Sequence, residues 1–179
     1  NVTISEAARL AAHARERSSV ARVVVLTVDA TDALVDEAVA AIRPDILQLH
    51  GHETPERCRD LKRSGCEVMK VIGVATRDDV ATASAYLDAA DRIMFDAKPP
   101  PGLTGALPGG NAISFDWRML EAWGDRWFML AGGLTPDNVA GAIRLTRAPA
   151  VDVSSGVERA PGEKDPDRIR AFIAAAKAA

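Results

Sequence analysis

The sequence is poor in cysteine, has no long apolar run and carries no excess of positive charge, and each of these absences excludes a class of protein. Its two cysteines, Cys58 and Cys66, lack CxxC and zinc-ribbon spacing, so neither a disulfide scaffold nor a zinc ribbon is indicated. No apolar run reaches the roughly 18–20 residues that a membrane span needs. The 22 basic and 25 acidic residues are well mixed and leave a formal net charge of -3, which argues against a nucleic-acid partner.

The sequence does contain enough apolar residues to form a sizeable core. Of its 179 residues, 47% are hydrophobic and 26% are charged. This length fits one domain on the usual scale of roughly 100–200 residues. The first residues do not have the pattern of a signal peptide, and none is expected. We therefore expect one soluble, cytoplasmic domain over residues 1–179, with no membrane partner.

Short apolar strands alternate with segments of helical periodicity along the sequence. A leading helical segment covers residues 1–18, and the predicted strands that follow are Val23–Val28, Ile46–His50, Glu67–Val74, Arg92–Asp96, Trp127–Leu134 and Ala150–Ser155. Helices are expected over Thr31–Ile42, from Thr54-Pro55, over Thr76–Ala89 and Asp116–Trp123, and after the caps Thr135-Pro136 and Asp165-Pro166. Because the strands read as buried and no hairpin signal joins them, the pattern predicts a parallel sheet with both faces covered.

Two architectures fit this alternation. An open, flavodoxin-like sheet needs no further element. A (β/α)8 TIM barrel has eight units in roughly 200–250 residues, and about six βα units with a leading helix would fit a barrel that lacks strand 1, helix 1 and strand 2. The pattern alone leaves both architectures open.

Glycine-containing turns follow the last two predicted strands. They are Ala131-Gly132-Gly133 and Ser154-Ser155-Gly156. In (β/α)8 enzymes a phosphate commonly lies between the loops after strands 7 and 8, where backbone N–H groups can approach it closely. Either glycine turn alone is explained as well by a tight turn, but the pair on consecutive strands favours a phosphate site.

Three polar side chains lie in strands where a polar group is costly unless it has a partner. Asp96 ends the strand RIMFD, where it can be a catalytic carboxylate at the mouth of a barrel or a turn residue. Gln48 and His50 lie on one side of the strand LQLHG, either as ligand contacts or as a satisfied core pair. The segment 97–114, rich in proline and glycine, either folds over a ligand or only connects two elements.

Four segments together resemble the phosphoribosylanthranilate isomerase family of tryptophan biosynthesis. They are LQLHGHETPE, FDAKPP…PGGNAISFDW, LAGGLTPDNV and VDVSSGVERAPGEKDP, in this order along nearly the whole chain. The resemblance implies a (β/α)8 barrel and an Amadori rearrangement of a phosphorylated small molecule, with no metal or organic cofactor, in a monomer or homodimer.

The resemblance also implies roles for individual residues. Asp96 matches the general acid of the family's FDAK-type motif, and Gln48 and His50 match its substrate-binding QLHG. The phosphate contacts carried over from the family's two loops are Gly132, Gly133, Ser154, Ser155 and Gly156.

The sequence also departs from the family pattern. The family's general base is a cysteine in a KICG-type motif on the first strand, and an arginine follows the second strand. Neither motif occurs here, and neither Cys58 nor Cys66 matches a catalytic position. These 179 residues alone are therefore expected to be inactive. The alternatives are another phosphate-binding barrel, such as indole-glycerol-phosphate synthase, and an incomplete barrel that binds phosphorylated ligands without catalysis.

Overall fold

The computed structural model describes residues 2–18, 20–98 and 114–179. Most of the predicted loop 97–114 lies outside these residues. The helices are α1 Ile4–Arg17, α2 Asp32–Ile42, α3 Pro55–Leu61, α4 Arg77–Thr82, α5 Val139–Thr146 and α6 Pro166–Lys177. The strands are β1 Val24–Thr27, β2 Ile46–Leu49, β3 Glu67–Val74, β4 Arg92–Ala97, β5 Met129–Leu130, β6 Ala150–Val151, β7 Glu158–Ala160 and β8 Glu163–Lys164.

The six strands that precede the hairpin β7–β8 follow one another in chain order within a sheet, β1-β2-β3-β4-β5-β6. The pairs β1–β2, β2–β3, β4–β5 and β5–β6 are parallel. Because each new strand is added beside the preceding one, the order is not the 2-1-3-4-5 of a flavodoxin-like sheet. The sequence expectation of parallel strands joined through helices is therefore confirmed.

The chain divides into two compact units. The first consists of Asn1–Lys70 with Tyr86–Asp91, and the second of Val71–Ala85 with Arg92–Ala179. The expectation of one domain over residues 1–179 stays a prediction. Within the described ranges, no helix has the length and apolar character needed to cross a membrane.

The core of the first unit forms where α2 presents one face inward. Thr31 caps this helix by accepting a hydrogen bond from the Leu34 N–H, and Val35, Ala38 and Ile42 recur at helical spacing and are buried. Alternate side chains of the first predicted strand are more exposed than expected. Val24, Leu26 and Val28 are 44%, 48% and 43% exposed. The prediction that this strand is buried is therefore wrong for alternate residues, because β1 is an edge strand in the described sheet.

The core of the second unit is built around Phe95 in β4. Its ring meets the edge of Trp123 at 5.3 Å and of Phe128 at 5.8 Å between ring centroids. Leu130 of β5 and Phe95 are completely buried. Burying one such side chain stabilises the fold by about 1.5–3 kcal/mol, so this cluster fixes the position of β4 and of the residue that follows Phe95.

Several predicted boundaries are corrected by the structure. The helix predicted over Thr76–Ala89 ends at Thr82 and continues as a 3-10 helix over Ala83–Tyr86. The segment Trp117–Trp123 is also a 3-10 helix. The last two strands of the parallel sheet, β5 and β6, are shorter than predicted because the two predicted glycine turns begin soon after them. In the first of these turns, Gly132 and Gly133 have positive φ.

A hairpin that the sequence did not indicate follows the parallel sheet. Strands β7 and β8 pair in antiparallel fashion, with Glu158 opposite Lys164. A Pro-Gly turn joins them, and Gly162 has φ of +81° in it, a conformation that glycine adopts without steric cost. Pro-Gly is a turn signal, but the flanking strands of three and two residues are too short to show an alternating pattern.

Candidate active site

Asp96 lies near the carboxyl end of β4, directly after the aromatic core residue Phe95. The residue is 7% exposed, and its Oδ1 accepts a hydrogen bond from the Ala97 N–H at 2.8 Å. Burial raises the pKa of the carboxyl above its ordinary value, and the Ala97 N–H opposes this shift without reversing it. Asp96 therefore keeps its proton to higher pH than an exposed aspartate does.

The first glycine turn passes close to Asp96. Gly132 has φ of +87°, and a Cβ placed on it would lie 2.7 Å from the Ala97 nitrogen and 3.1 Å from the Asp96 Oδ1. Real Cβ atoms essentially never approach another atom within 3.0 Å. Only glycine fits this position, and the structure brings the predicted general acid and the first predicted phosphate turn together.

Asn138 holds the same turn from the helix side. Its amide nitrogen donates to the Gly133 carbonyl at 2.9 Å, and its amide oxygen accepts from the Thr135 N–H at 2.8 Å. Asn138 is also the residue that precedes α5. The predicted cap at Thr135-Pro136 is therefore wrong, because these residues belong to the turn and the helix begins after Asn138.

The second glycine turn packs against the end of the first. A Cβ placed on Gly156 would lie 1.8 Å from the Leu134 carbonyl oxygen and 3.1 Å from Val153 Cγ2. This overlap is with backbone, so the chain cannot accommodate a side chain at Gly156 without moving. Ser155–Val157 forms one turn of 3-10 helix. The two loops predicted to bind phosphate are thus in direct contact.

Lys164 contacts the second turn and was not identified from the sequence. Its Nζ donates to the carbonyl of Ser154 at 2.9 Å and to the Ser154 hydroxyl at 3.2 Å, and it forms an ion pair with Glu158 at 2.7 Å. The hairpin β7–β8 brings Lys164 to this position. The Pro-Gly turn is the sequence signal that would have indicated it.

Gln48 and His50 belong to the first unit, whereas Asp96 and both glycine turns belong to the second. Gln48 is buried in β2, and His50 follows the strand with its N–H donating to the Thr27 carbonyl at 2.9 Å. Lys70 of β3 forms an ion pair with the Glu53 carboxylate at 2.8 Å.

Neither cysteine is placed as a base. Cys58 is fully buried, and burial raises the pKa of its thiol. The Cys66 thiol donates to the Pro44 carbonyl at 3.2 Å. No group of three or more His, Cys, Asp or Glu side chains in the described part of the chain is arranged to hold a metal ion.

The model of the family described as N-(5'phosphoribosyl)anthranilate (PRA) isomerase matches residues 2–175 of the chain. This chain belongs to the phosphoribosylanthranilate isomerase family. A member of the family from Parvibaculum lavamentivorans, named N-(5'-phosphoribosyl)anthranilate isomerase, is 55% identical over 158 residues, which cover 87% of this chain and 74% of that protein.

Solved structures of phosphoribosylanthranilate isomerases have the same fold. The crystal structure of the enzyme from Thermotoga maritima superposes with a TM-score of 0.85 at 33% identity, covering 99% of this chain and 82% of that one. A phosphoribosylanthranilate isomerase in complex with reduced 1-(o-carboxyphenylamino)-1-deoxyribulose 5-phosphate superposes with a TM-score of 0.82 at 31% identity, covering 99% and 81%. A third structure, with a TM-score of 0.81 and 32% identity over 99% and 81%, is of monomers generated from the dimeric Thermotoga maritima enzyme.

These comparisons confirm the predicted TIM-barrel type of α/β fold and the predicted isomerase of tryptophan biosynthesis. The matched family is the isomerase, so the alternative of an indole-glycerol-phosphate synthase is not supported. The roles of Asp96, Gln48, His50 and the two glycine turns in phosphoribosylanthranilate isomerase activity stay predictions.

Proposed function

We propose that Asp96 is the general acid in the Amadori rearrangement of N-(5'-phosphoribosyl)anthranilate to 1-(2-carboxyphenylamino)-1-deoxyribulose 5-phosphate. The observation that carries this proposal is a carboxyl buried at the carboxyl end of β4, with a pKa raised by burial. A general acid must hold its proton until the reacting atom needs it, which a raised pKa favours.

In the first step the Asp96 carboxyl gives its proton to the oxygen of the furanose ring. The bond between that oxygen and the sugar carbon bearing nitrogen breaks, and its electron pair stays on the oxygen. The nitrogen lone pair then forms the C=N bond of a Schiff base. By the family resemblance, the cysteine of the KICG-type motif, which has no match in this sequence, is the base that next removes the proton from the adjacent sugar carbon. The resulting enolamine tautomerises to the aminoketose. Each step is a proton transfer or a bond rearrangement within the substrate, so the proposal includes no metal or organic cofactor.

The substrate phosphate binds, in this proposal, between the turns Gly132-Gly133 and Ser154–Gly156. Glycines with positive φ leave backbone N–H groups exposed to an anion, and such concave arrangements bind phosphate. Gly132 and Gly133 have φ of +87° and +66°. The Ser154 and Ser155 hydroxyls supply further donors. A phosphoribosylanthranilate isomerase of the same fold is known in complex with a phosphorylated ligand, which supports a phosphorylated substrate.

Gln48 in β2 and His50 directly after it complete the proposal as substrate contacts. An amide and an imidazole can each donate or accept a hydrogen bond, and both match the family's QLHG segment. The protein acts as a monomer or homodimer on its phosphorylated substrate. Monomeric and dimeric forms both occur among the structural neighbours.

Replacing Asp96 with asparagine tests the central assignment. Asparagine keeps the shape but has no acidic proton, so kcat should fall by about 10²-fold or more, whereas KM should change little. Steady-state kinetics of the intact protein would measure both constants. Asp125→Asn, at an exposed position in the second unit, is the matched control and should leave both constants unchanged. Turnover of Asp96→Asn close to that of the control would refute the role of Asp96.

A further inference from the structure

The first unit contains an ion pair that is almost completely buried. Lys70 Nζ lies 2.8 Å from Glu53 Oε2, and the two side chains are each 4% exposed. Removing two charges from water costs several kcal/mol per ion, and replacing such a pair by apolar side chains is often neutral or stabilising. Stability alone is therefore a weak reason for a charged pair at this position.

Lys70 also contacts the backbone on both sides of His50. Besides Glu53, its Nζ donates to the carbonyl of Gly51 at 2.7 Å and, over a longer distance of 3.4 Å, to the carbonyl of Leu49. These are the residues directly before and after His50. One ammonium group thus holds the backbone on both sides of a predicted substrate contact.

The Glu53 carboxylate accepts hydrogen bonds from this loop and from the loop after β1. Its Oε2 accepts the Gly51 N–H and its Oε1 accepts the Asp29 N–H, both at 2.9 Å. Burial raises the pKa of Glu53, but the hydrogen bonds from Lys70 and the Asp29 N–H outweigh this effect and bring the pKa below its ordinary value. Glu53 therefore stays ionised and able to accept all three hydrogen bonds.

The loops after β1 and β2 touch where this pair lies. A Cβ placed on Gly51 would lie 2.7 Å from the Asp29 nitrogen, and the Tyr86 hydroxyl donates to the Glu53 carbonyl at 3.0 Å. Two backbone N–H groups, of Asp29 and Gly51, and the side chains of Tyr86 and Lys70 are thus tied to the buried Glu53.

We propose that Lys70 and Glu53 are positioning residues, which fix the backbone around His50 so that its side chain meets the substrate in one conformation. The inference rests on the proposed contact between His50 and the substrate. Neither residue touches the reacting atoms in this account; they act through the loop Leu49–Gly51.

A double-mutant cycle tests this inference. The variant Lys70→Met/Glu53→Gln removes both charges together, so that no unpaired charge stays buried, and it is made in the intact protein with and without His50→Ala. We expect the pair replacement to raise KM about tenfold with a smaller change in kcat, because several charge-assisted hydrogen bonds around His50 are lost. In the His50→Ala background the same replacement should change KM by less than about twofold, because coupled residues are not additive.

A control variant and a second variant separate an effect on the loop around His50 from a general loss of stability. Lys62→Met removes a lysine of the same unit from a half-exposed ion pair with Asp91 and should leave KM unchanged. Where the pair variant fails to fold, as shown by thermal unfolding, Glu53→Asp, which keeps the charge beside Lys70 but shortens the side chain, should give a rise in KM of about threefold, again only when His50 is present.

Two results would overturn the inference alone: a folded pair variant with unchanged KM, or the same rise in KM with and without His50. An unchanged KM for His50→Ala by itself would overturn the proposed substrate contact and the inference with it.

Discussion

The close approach of the first glycine turn to β4 predicts a large penalty for Gly132→Ala. Residue 132 has φ of +87°, and an L-residue in that region costs about 1–2 kcal/mol. The new Cβ would also lie 2.7 Å from the Ala97 nitrogen, and such crowding in a packed region costs about 1–3 kcal/mol. Together these effects should lower the free energy of unfolding by about 2–5 kcal/mol.

Two other glycines separate these contributions. Gly65 of the first unit has φ of +80° and ψ of 0°, and nothing lies within 4 Å of the point that a Cβ would occupy, so Gly65→Ala should show only the conformational cost of about 1–2 kcal/mol. Gly141, inside α5, has no neighbour within 4 Å either, and Gly141→Ala should stabilise the protein by about 0.5–1 kcal/mol.

Urea unfolding of the three variants, followed by circular dichroism, measures these differences. The reasoning requires Gly132→Ala to be the least stable and Gly141→Ala the most stable. If Gly132→Ala loses no more stability than Gly65→Ala, the turn does not pass against Ala97 and Asp96 as described, and the proposed phosphate loop is misplaced.

Two further predictions concern Lys164 and the titration of Asp96. Lys164→Met should raise KM about 2- to 10-fold, because two hydrogen bonds that hold Ser154 are lost, whereas Arg159→Met on the same hairpin should not; equal effects in steady-state kinetics would argue against the role of Lys164. Burial raises the folded pKa of Asp96 above 3.8, so its contribution to stability is full below that pH and is lost as pH rises through the folded pKa. The stability of Asp96→Asn relative to wild type should therefore increase as pH rises above the ordinary pKa of 3.8 and become constant once the pH exceeds the folded pKa, and urea titrations showing no such increase would contradict the raised pKa.

The parallel strands and most helix starts could be predicted because their signals are local. Continuous apolar runs mark β2 and β4, and a side chain two or three residues away caps a helix, as Thr76 does with Asp79. The four family segments likewise predicted Asp96 and both glycine turns as site residues. The structure places Asp96 beside Gly132, and the loop after Gly133 beside Gly156.

What the sequence did not predict depends on contacts between distant residues. Glu53 has no signal of its own in HETPE, because its importance comes from Lys70 and Asp29, which lie 17 and 24 residues away. Lys164 meets Ser154 only because a hairpin of very short strands folds back. Asn138, and not Thr135, precedes α5 because its side chain closes the turn that follows β5.

The central claim, that Asp96 donates a proton to the sugar ring, is tested most directly by the pH dependence of kcat. The acid must be protonated to act, so kcat should decrease as pH rises through the pKa at which the Asp96 carboxyl titrates in a carbon-13 NMR experiment. That pKa should lie above the ordinary 3.8, and the decrease should be absent from the residual activity of Asp96→Asn. A kcat that stays constant or increases while the Asp96 carboxyl loses its proton would contradict the account.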